Sequence, residues 1–206
     1  MEINFLPETV KTKAGLKRDK RLIRTKKAII CAIMELLSVK DLSEITVTEL
    51  TERAGINRKT FYLHYDRIED IITELGQDLI LYSNNTLKSC TAPDGSLNTT
   101  AIFAAINRTV EENLEFFRLF VRSGTYHFLK SSGDRKEYMN GIRAHLVHHF
   151  KGTDMLGPYV IEFICKGVSS MYTSWLSADL PTVSLEELSL CAAHLARSAL
   201  DRYEEA

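Results

Sequence analysis

The chain has 206 residues, enough for one large or two small domains, and its 45% hydrophobic and 26% charged content is ordinary for a globular protein. No apolar run reaches the ~18 residues of a bilayer span, and the N-terminus lacks the apolar core of a signal peptide; the four cysteines, Cys31, Cys90, Cys165 and Cys191, form no CxxC, so they read as separate reduced thiols of a cytoplasmic protein without a structural metal. A net charge of −1 conceals nine bases against three acids in residues 1–30, so that +6 at this end faces −7 over the rest, an asymmetry that suits a polyanionic partner.

Residues 1–20 are polar, basic and without periodicity, and read as a flexible arm. A helix starts near Leu22, with Ile29, Ile33, Leu36 and Leu37 on one stripe. Arg24, Lys26 and Lys27 stand at its start, off that stripe by this reading. Cations there oppose the helix dipole, so DNA phosphate is the natural reason for them. A loop over Val39 to Ser43 leads on.

The stretch 45–70, ITVTELTERAGINRKTFYLHYDRIED, is the most informative of the chain. Thr46 and Glu49 have the spacing of a capping box, flanked by Ile45 and Leu50 as a staple. Val47, Leu50 and Ala54 share a helical face, and Gly55 follows where a helix end favours positive φ. Asn57 is a good N-cap for a second helix, with Ile56 and Phe61 at its staple positions. Two helices joined by a short Gly-containing turn make a helix-turn-helix. In that arrangement the start of the second helix meets base edges in the major groove. Asn57, Arg58, Lys59 and Thr60 open it; Lys59 and Thr60 are the candidate base readers, since Lys can contact guanine O6 and N7. Tyr62 and His64 have the lengths for phosphate or groove-edge contacts, Thr48 approaches a phosphate, and Phe61 and Tyr65 face inward.

These residues, above all AGINRKTFYLHYD, resemble the DNA-binding domain of the TetR family of transcriptional regulators. The likeness is close over roughly residues 22–75 and architectural beyond. It implies DNA contacts from Arg24, Lys27, Thr48, Asn57, Arg58, Lys59, Thr60, Tyr62, His64 and Arg67. One departure stands out: members commonly carry a Lys two or three residues beyond the position of Tyr65, where this chain has Asp66, Arg67 and Ile68, so either Arg67 replaces that Lys at the phosphate or the contact is absent.

Downstream, Asp66 with Glu69 marks a helix start, and Ile71, Ile72, Leu75, Leu79, Ile80 and Tyr82 stripe a helix from Arg67 to about Leu87. SCTAPDGSLN, residues 89–98, is a loop. Ile102, Ile106 and Val110, then Leu114, Phe117 and Val121, continue the helical pattern with a break near Asn113. Tyr138, Ile142, His145, Leu146 and His149 form a further stripe. His145, His148 and His149 have no Cys or carboxylate at ligand spacing, so they read as ordinary surface histidines rather than a metal site. Pro158 suits a first helical position before a dense apolar pattern to about Ser177. Ser184 and Glu187 make a capping box for a last helix striped by Leu188, Ala192, Leu195 and Ala199.

The predicted fold is all-α, about nine helices: a basic arm (1–20), a helix-turn-helix domain (21–66) and a helical regulatory and dimerisation domain (67–206). The resemblance implies a homodimer through residues 158–177 and 185–203, where Gly167, Ser169, Ser170, Ala192, Ala193 and Ala196 permit close helix approach. It further implies a repressor that reads an inverted repeat in double-stranded DNA and answers to a small organic effector. Phe103, Phe117, Phe120, Phe163, Met171, Tyr172 and Trp175 are candidate effector contacts, though aromatics at this spacing also serve as plain core. No catalytic motif, cofactor site or membrane segment is evident. The competing reading keeps the fold but makes the protein a protein-binding adaptor; the basic arm and the Arg58–Lys59–Thr60 opening argue against it.

Overall fold

The structure is a computed structural model. It describes residues 20–92, 98–124 and 156–201, and the backbone of 10–12 and 15–17. The expected stripe at 138–149 with its three histidines, and residues 202–203 of the last expected helix, lie outside the described residues.

Among the described residues there are eight α-helices: α1 Lys20–Leu37, α2 Val47–Arg53, α3 Arg58–His64, α4 Glu69–Ser89, α5 Thr99–Glu112, α6 Leu114–Arg122, α7 Gly157–Ser177 and α8 Leu185–Asp201. The architecture is all-α apart from a small ribbon within the arm. There β1, Val10–Thr12, pairs antiparallel with β2, Gly15–Lys17, Val10 standing opposite Lys17. Three-residue strands are too short to show an alternating pattern, so the sequence carries no sign of them.

The chain divides into two compact units. The first runs to Leu79 and includes α6. The second takes Ile80–Glu111 together with α7 and α8, so the division falls inside α4.

In the first unit α1 packs on α2 and α6, and α2 on α3. Its core is built from Ile29, Ile30, Ile33 and Met34 of α1, Leu50 of α2, Phe61 of α3, Ile71, Ile72 and Leu75 of α4, and Phe116 of α6, all fully buried. The break at Asn113 is real: its φ of −131° and ψ of 31° separate α5 from α6. Phe116 and Phe120 then stack one turn apart, ring centroids 5.8 Å from each other. The start of α4 lies two residues later than the sequence suggests. Asp70, not Glu69, closes it, its carboxylate accepting the backbone N–H groups of Arg67 and Asp66 at 2.8 and 3.2 Å.

One basic residue corrects the sequence reading. Lys26 is not off the stripe but 2% exposed, three and four residues before Ile29 and Ile30 on the inward face of α1. Its Nζ lies 2.6 Å from Asp78 Oδ2 and 3.0 Å from Glu74 Oε1. A lysine pointing at two acids in a core has no charge to offer a phosphate; Arg24 is exposed and Lys27 half-buried on the same helix.

In the second unit α7 and α8 pack together. Ser184 closes both halves of its capping box: its Oγ accepts from the Glu187 N–H at 3.1 Å and its own N–H donates to Glu187 Oε2 at 2.8 Å. Trp175 Nε1 donates to the Val183 carbonyl at 2.8 Å and fastens the connecting turn. A buried polar group joins α5 to both helices. Asn107 Nδ2 donates to Ser189 Oγ at 2.7 Å and to the Leu185 carbonyl at 3.2 Å, while the Tyr172 hydroxyl donates to Asn107 Oδ1 at 2.8 Å. Every polar atom of Asn107 that folding buries is thereby satisfied, which is what makes a buried amide tolerable.

The small residues of α8 are placed differently from the expectation. Ala192, Ala193 and Ala196 are buried within the protomer, whereas Gly167 and Ser170 of α7 are exposed. Periodicity marks a helix face as apolar or small but cannot say whether its own chain or a second one covers it.

Candidate nucleic-acid interface

The turn between α2 and α3 is fixed by backbone bonds around a single glycine. Gly55 has φ +64°. Its N–H donates to the Glu52 carbonyl at 3.2 Å and the Ile56 N–H to the Thr51 carbonyl at 2.9 Å, the paired bonds of a Schellman closure. A Cβ at Gly55 would meet nothing within 4 Å, so the residue is required by backbone conformation and not by space. Gly55→Ala is therefore expected to destabilise the first unit by about 1–2 kcal/mol. Gly55→Asn should lose less, because Asn enters the left-handed region more readily. Urea unfolding of the three proteins checks the order.

Both helices are capped as the sequence predicts, with one difference. Thr46 Oγ1 accepts from the Glu49 N–H at 3.3 Å and Asn57 Oδ1 from the Lys59 N–H at 2.8 Å. The Glu49 carboxylate pairs with Lys40 instead of completing the capping box.

Helix α3 has seven residues, and its two faces are cleanly divided. Phe61 is 0% exposed, and Tyr65, just past the helix, 5%. Asn57, Arg58, Lys59, Tyr62 and Leu63 are exposed, with Thr60 and His64 half-buried. Thr48, at the start of α2, is exposed as well. Phe61 packs edge-on to Tyr62 with ring centroids 5.3 Å apart. The outward face thus carries two cations, a phenol and one aliphatic side chain on a helix whose inward side is locked into the core.

The far end of α3 is held by a polar chain through the unit. Tyr65 OH donates to Glu74 Oε2 at 2.6 Å, and Glu74 meets Lys26, which meets Asp78. Burial pushes the Tyr65 phenol far above its ordinary range, with the Glu74 charge adding to the shift. Burial also raises the Asp78 carboxyl, with Lys26 pulling it back down. This chain links α3, α4 and α1, and the sequence reading missed it.

Residues 29–75 match the model for "Bacterial regulatory proteins, tetR family". The HTH-type transcriptional regulator EthR of Mycolicibacterium smegmatis is 30% identical over 122 residues, 56% of this chain, and the chain spans only 52% of that regulator. Among solved structures, the dihydroxyacetone kinase operon activator DhaS superposes with a TM-score of 0.57 at 15% identity, over 88% of this chain and 99% of that one. A TetR transcriptional regulator from Streptococcus agalactiae 2603V does so at 0.53 and 20% identity, over 87% and 97%. Residues 29–75 are thus similar to the head of TetR-family regulators, and the solved structures share the fold of the whole.

Helices α2 and α3 lie within the matched residues and have the helix-turn-helix arrangement. Arg67 is exposed, and its Nη2 reaches Asp70 Oδ1 at 3.5 Å. That weak surface pair leaves the guanidinium available to a phosphate.

His64 is of a different kind. Desolvation lowers its pKa, the Lys26 charge acts in the same direction and Glu74 against it. It is therefore neutral at pH 7. A phosphate approaching it would favour the protonated form, so binding should take up a proton. DNA affinity is expected to rise as pH falls from 7.5 to 6, and that slope to vanish in His64→Gln; titrations at several pH values measure it. In the absence of DNA the sign is opposite. A histidine with a lowered folded pKa loses stabilisation as pH drops below its unfolded value, about 6.5, toward the folded one.

The effector candidates are divided between the two units. Phe117 and Phe120 lie on α6 in the first unit; Phe103 on α5 and Phe163, Met171, Tyr172 and Trp175 on α7 lie in the second. Phe103, Phe120 and Tyr172 are buried, Phe117, Met171 and Trp175 half-buried. Phe163 is 72% exposed, on the outer face of α7. No helix among the described residues is long and apolar enough to cross a membrane.

Proposed function

We propose that the protein is a homodimeric transcriptional regulator that reads an inverted-repeat operator and represses by occupying it. The observation that carries this reading is the outward face of α3, with Arg58, Lys59 and Tyr62 exposed while Phe61 and Tyr65 anchor the helix from behind. An adaptor that binds only protein has no need of this face. Assembly is supported by an exposed apolar surface on the last two helices, Tyr159 and Phe163 on α7 and Leu190 and Leu195 on α8. A small organic effector bound between α5 and α7 would shift the equilibrium between binding and non-binding forms, provided it favours one of them. Repression follows when the operator overlaps a promoter. A neighbour of the same fold is named an activator, so the direction of control belongs to operator position and not to the fold.

A two-fold dimer with one reading helix per head requires a two-fold site, its half-sites centred ~34–36 Å or a multiple apart. Selection from a random duplex library at several salt concentrations is the test. Lys59→Ala is expected to relax base preference at one position per half-site, whereas removing residues 1–20 should flatten the salt dependence by roughly 0.9 per lost phosphate contact. Enrichment of no palindrome, with Lys59→Ala indistinguishable from wild type, would leave the adaptor reading in its place.

A further inference from the structure

The exposed face of α3 contains one side chain that neither the core nor a phosphate explains. Leu63 is 61% exposed. The inward positions on either side of it, Phe61 and Tyr65, already fill the core. Single exposed leucines are common on protein surfaces, but this one sits one helical turn after Lys59 and shares its face. A side chain without donors or acceptors cannot hold phosphate. What it can meet in a major groove is the one apolar feature displayed there, the C5-methyl group of thymine.

We propose that Leu63 is a specificity-determining residue that reads a thymine methyl. The inference rests on α3 being the reading helix. Four residues of α-helix rise about 6 Å, and successive base pairs of B-DNA are 3.4 Å apart. The thymine read by Leu63 therefore lies one or two base pairs from the base met by Lys59. Both positions occur twice, once in each half-site. The pair divides the labour: Lys59 selects for acceptors on guanine, Leu63 for a methyl group against the bare edge of cytosine.

The test uses the full-length protein and the duplex that selection enriches. Each thymidine is replaced in turn by deoxyuridine, which removes the methyl and nothing else. Wild type is expected to lose roughly fourfold in affinity per half-site at one thymidine, the effect of one buried methyl group, and about the square of that when both half-sites are changed. Leu63→Ala should bind the thymidine duplex more weakly and be indifferent to deoxyuridine at that position. Leu63→Met, which keeps an apolar tip, should retain the sensitivity. Because Leu63 is exposed, the variants should melt with wild type, and that measurement guards against a folding artefact. Wild type indifferent to deoxyuridine at every position would overturn the assignment, as would Leu63→Ala with undiminished sensitivity. Enrichment of no palindrome at all would overturn the reading of α3 and this inference with it, a result distinct from an enriched site that ignores the methyl.

Discussion

Replacing Lys26 with alanine is expected to destabilise the first unit by about 3–5 kcal/mol, the range found when one partner of a buried ion pair is removed. Lys26 is 2% exposed and Asp78 7%, and the 2.6 Å contact between them begins the polar chain that runs on to Glu74 and Tyr65. Without the ammonium, Asp78 and Glu74 face each other across a desolvated space, and the Tyr65 hydroxyl keeps an acceptor that is no longer oriented. The loss should carry a signature in pH. Burial already holds the Asp78 carboxyl above its usual range, with Lys26 opposing the shift. A carboxyl whose folded pKa is raised contributes most below its unfolded pKa, and that contribution is lost as pH rises through the folded value. Removing Lys26 removes the opposing pull, so the Lys26→Ala deficit should be smaller at pH 5 than at pH 8. Uncharged replacement of the whole group, Lys26→Met with Asp78→Leu and Glu74→Gln, should be far milder than Lys26→Ala alone. Urea unfolding at the two pH values reads all of this. A deficit below about 1 kcal/mol, far under the usual cost of breaking such a pair, or one independent of pH, would mean that the lysine is not an ionic partner in the core.

The same residue shows where the sequence stops being legible. Thr46, Gly55, Asn57, Ser184 and Pro158 could be read because capping and turn closure act within four or five residues. The break at Asn113 and the inward pair Phe61 and Tyr65 followed from periodicity alone. Lys26 did not, because its meaning is set by Asp78, 52 positions away. A signal existed even so: Lys26 precedes Ile29, Ile30 and Ile33 at helical spacing, and Glu74 and Asp78 lie one turn apart. A charged residue on an apolar stripe calls for an opposite charge on another helix. Leu63 is hard to read for the opposite reason, being an apolar residue on the polar face of a short helix. The small residues of α8 are legible but the surface that covers them is not, since the pattern Ala192, Ala193, Ala196 is the same whether a helix of its own chain or of a second chain lies against it.

The burial of these alanines decides which substitution should break the dimer. Ala196 is 5% exposed in the protomer, so Ala196→Glu would force a carboxylate into the protomer's interior and lower the amount of folded chain. Leu195, its neighbour in sequence, is 56% exposed, with Leu190 at 57% one turn and a residue before it and Phe163 at 72% on α7. If this face meets its own copy, the contact is isologous and each substitution acts twice. Losing a buried leucine removes about 1.5–3 kcal/mol per copy, so Leu195→Glu should weaken the dimer by about 3–6 kcal/mol before any penalty for the buried charges. A wild type that sediments as a dimer at micromolar concentration should then become a folded monomer, with helix content and thermal unfolding of the protomer little changed. Operator affinity should fall with it, because two linked heads gain about 10²–10⁴ over one from effective concentration alone. Binding to a single half-site, where linkage plays no part, should be unaffected. Sedimentation and titrations against full and half operators separate these effects. Leu195→Glu that remains dimeric with full operator affinity would place the two-fold contact elsewhere on the molecule. Ala196→Glu behaving as a folded monomer would show that the alanine face, and not the leucine face, is what the second copy covers.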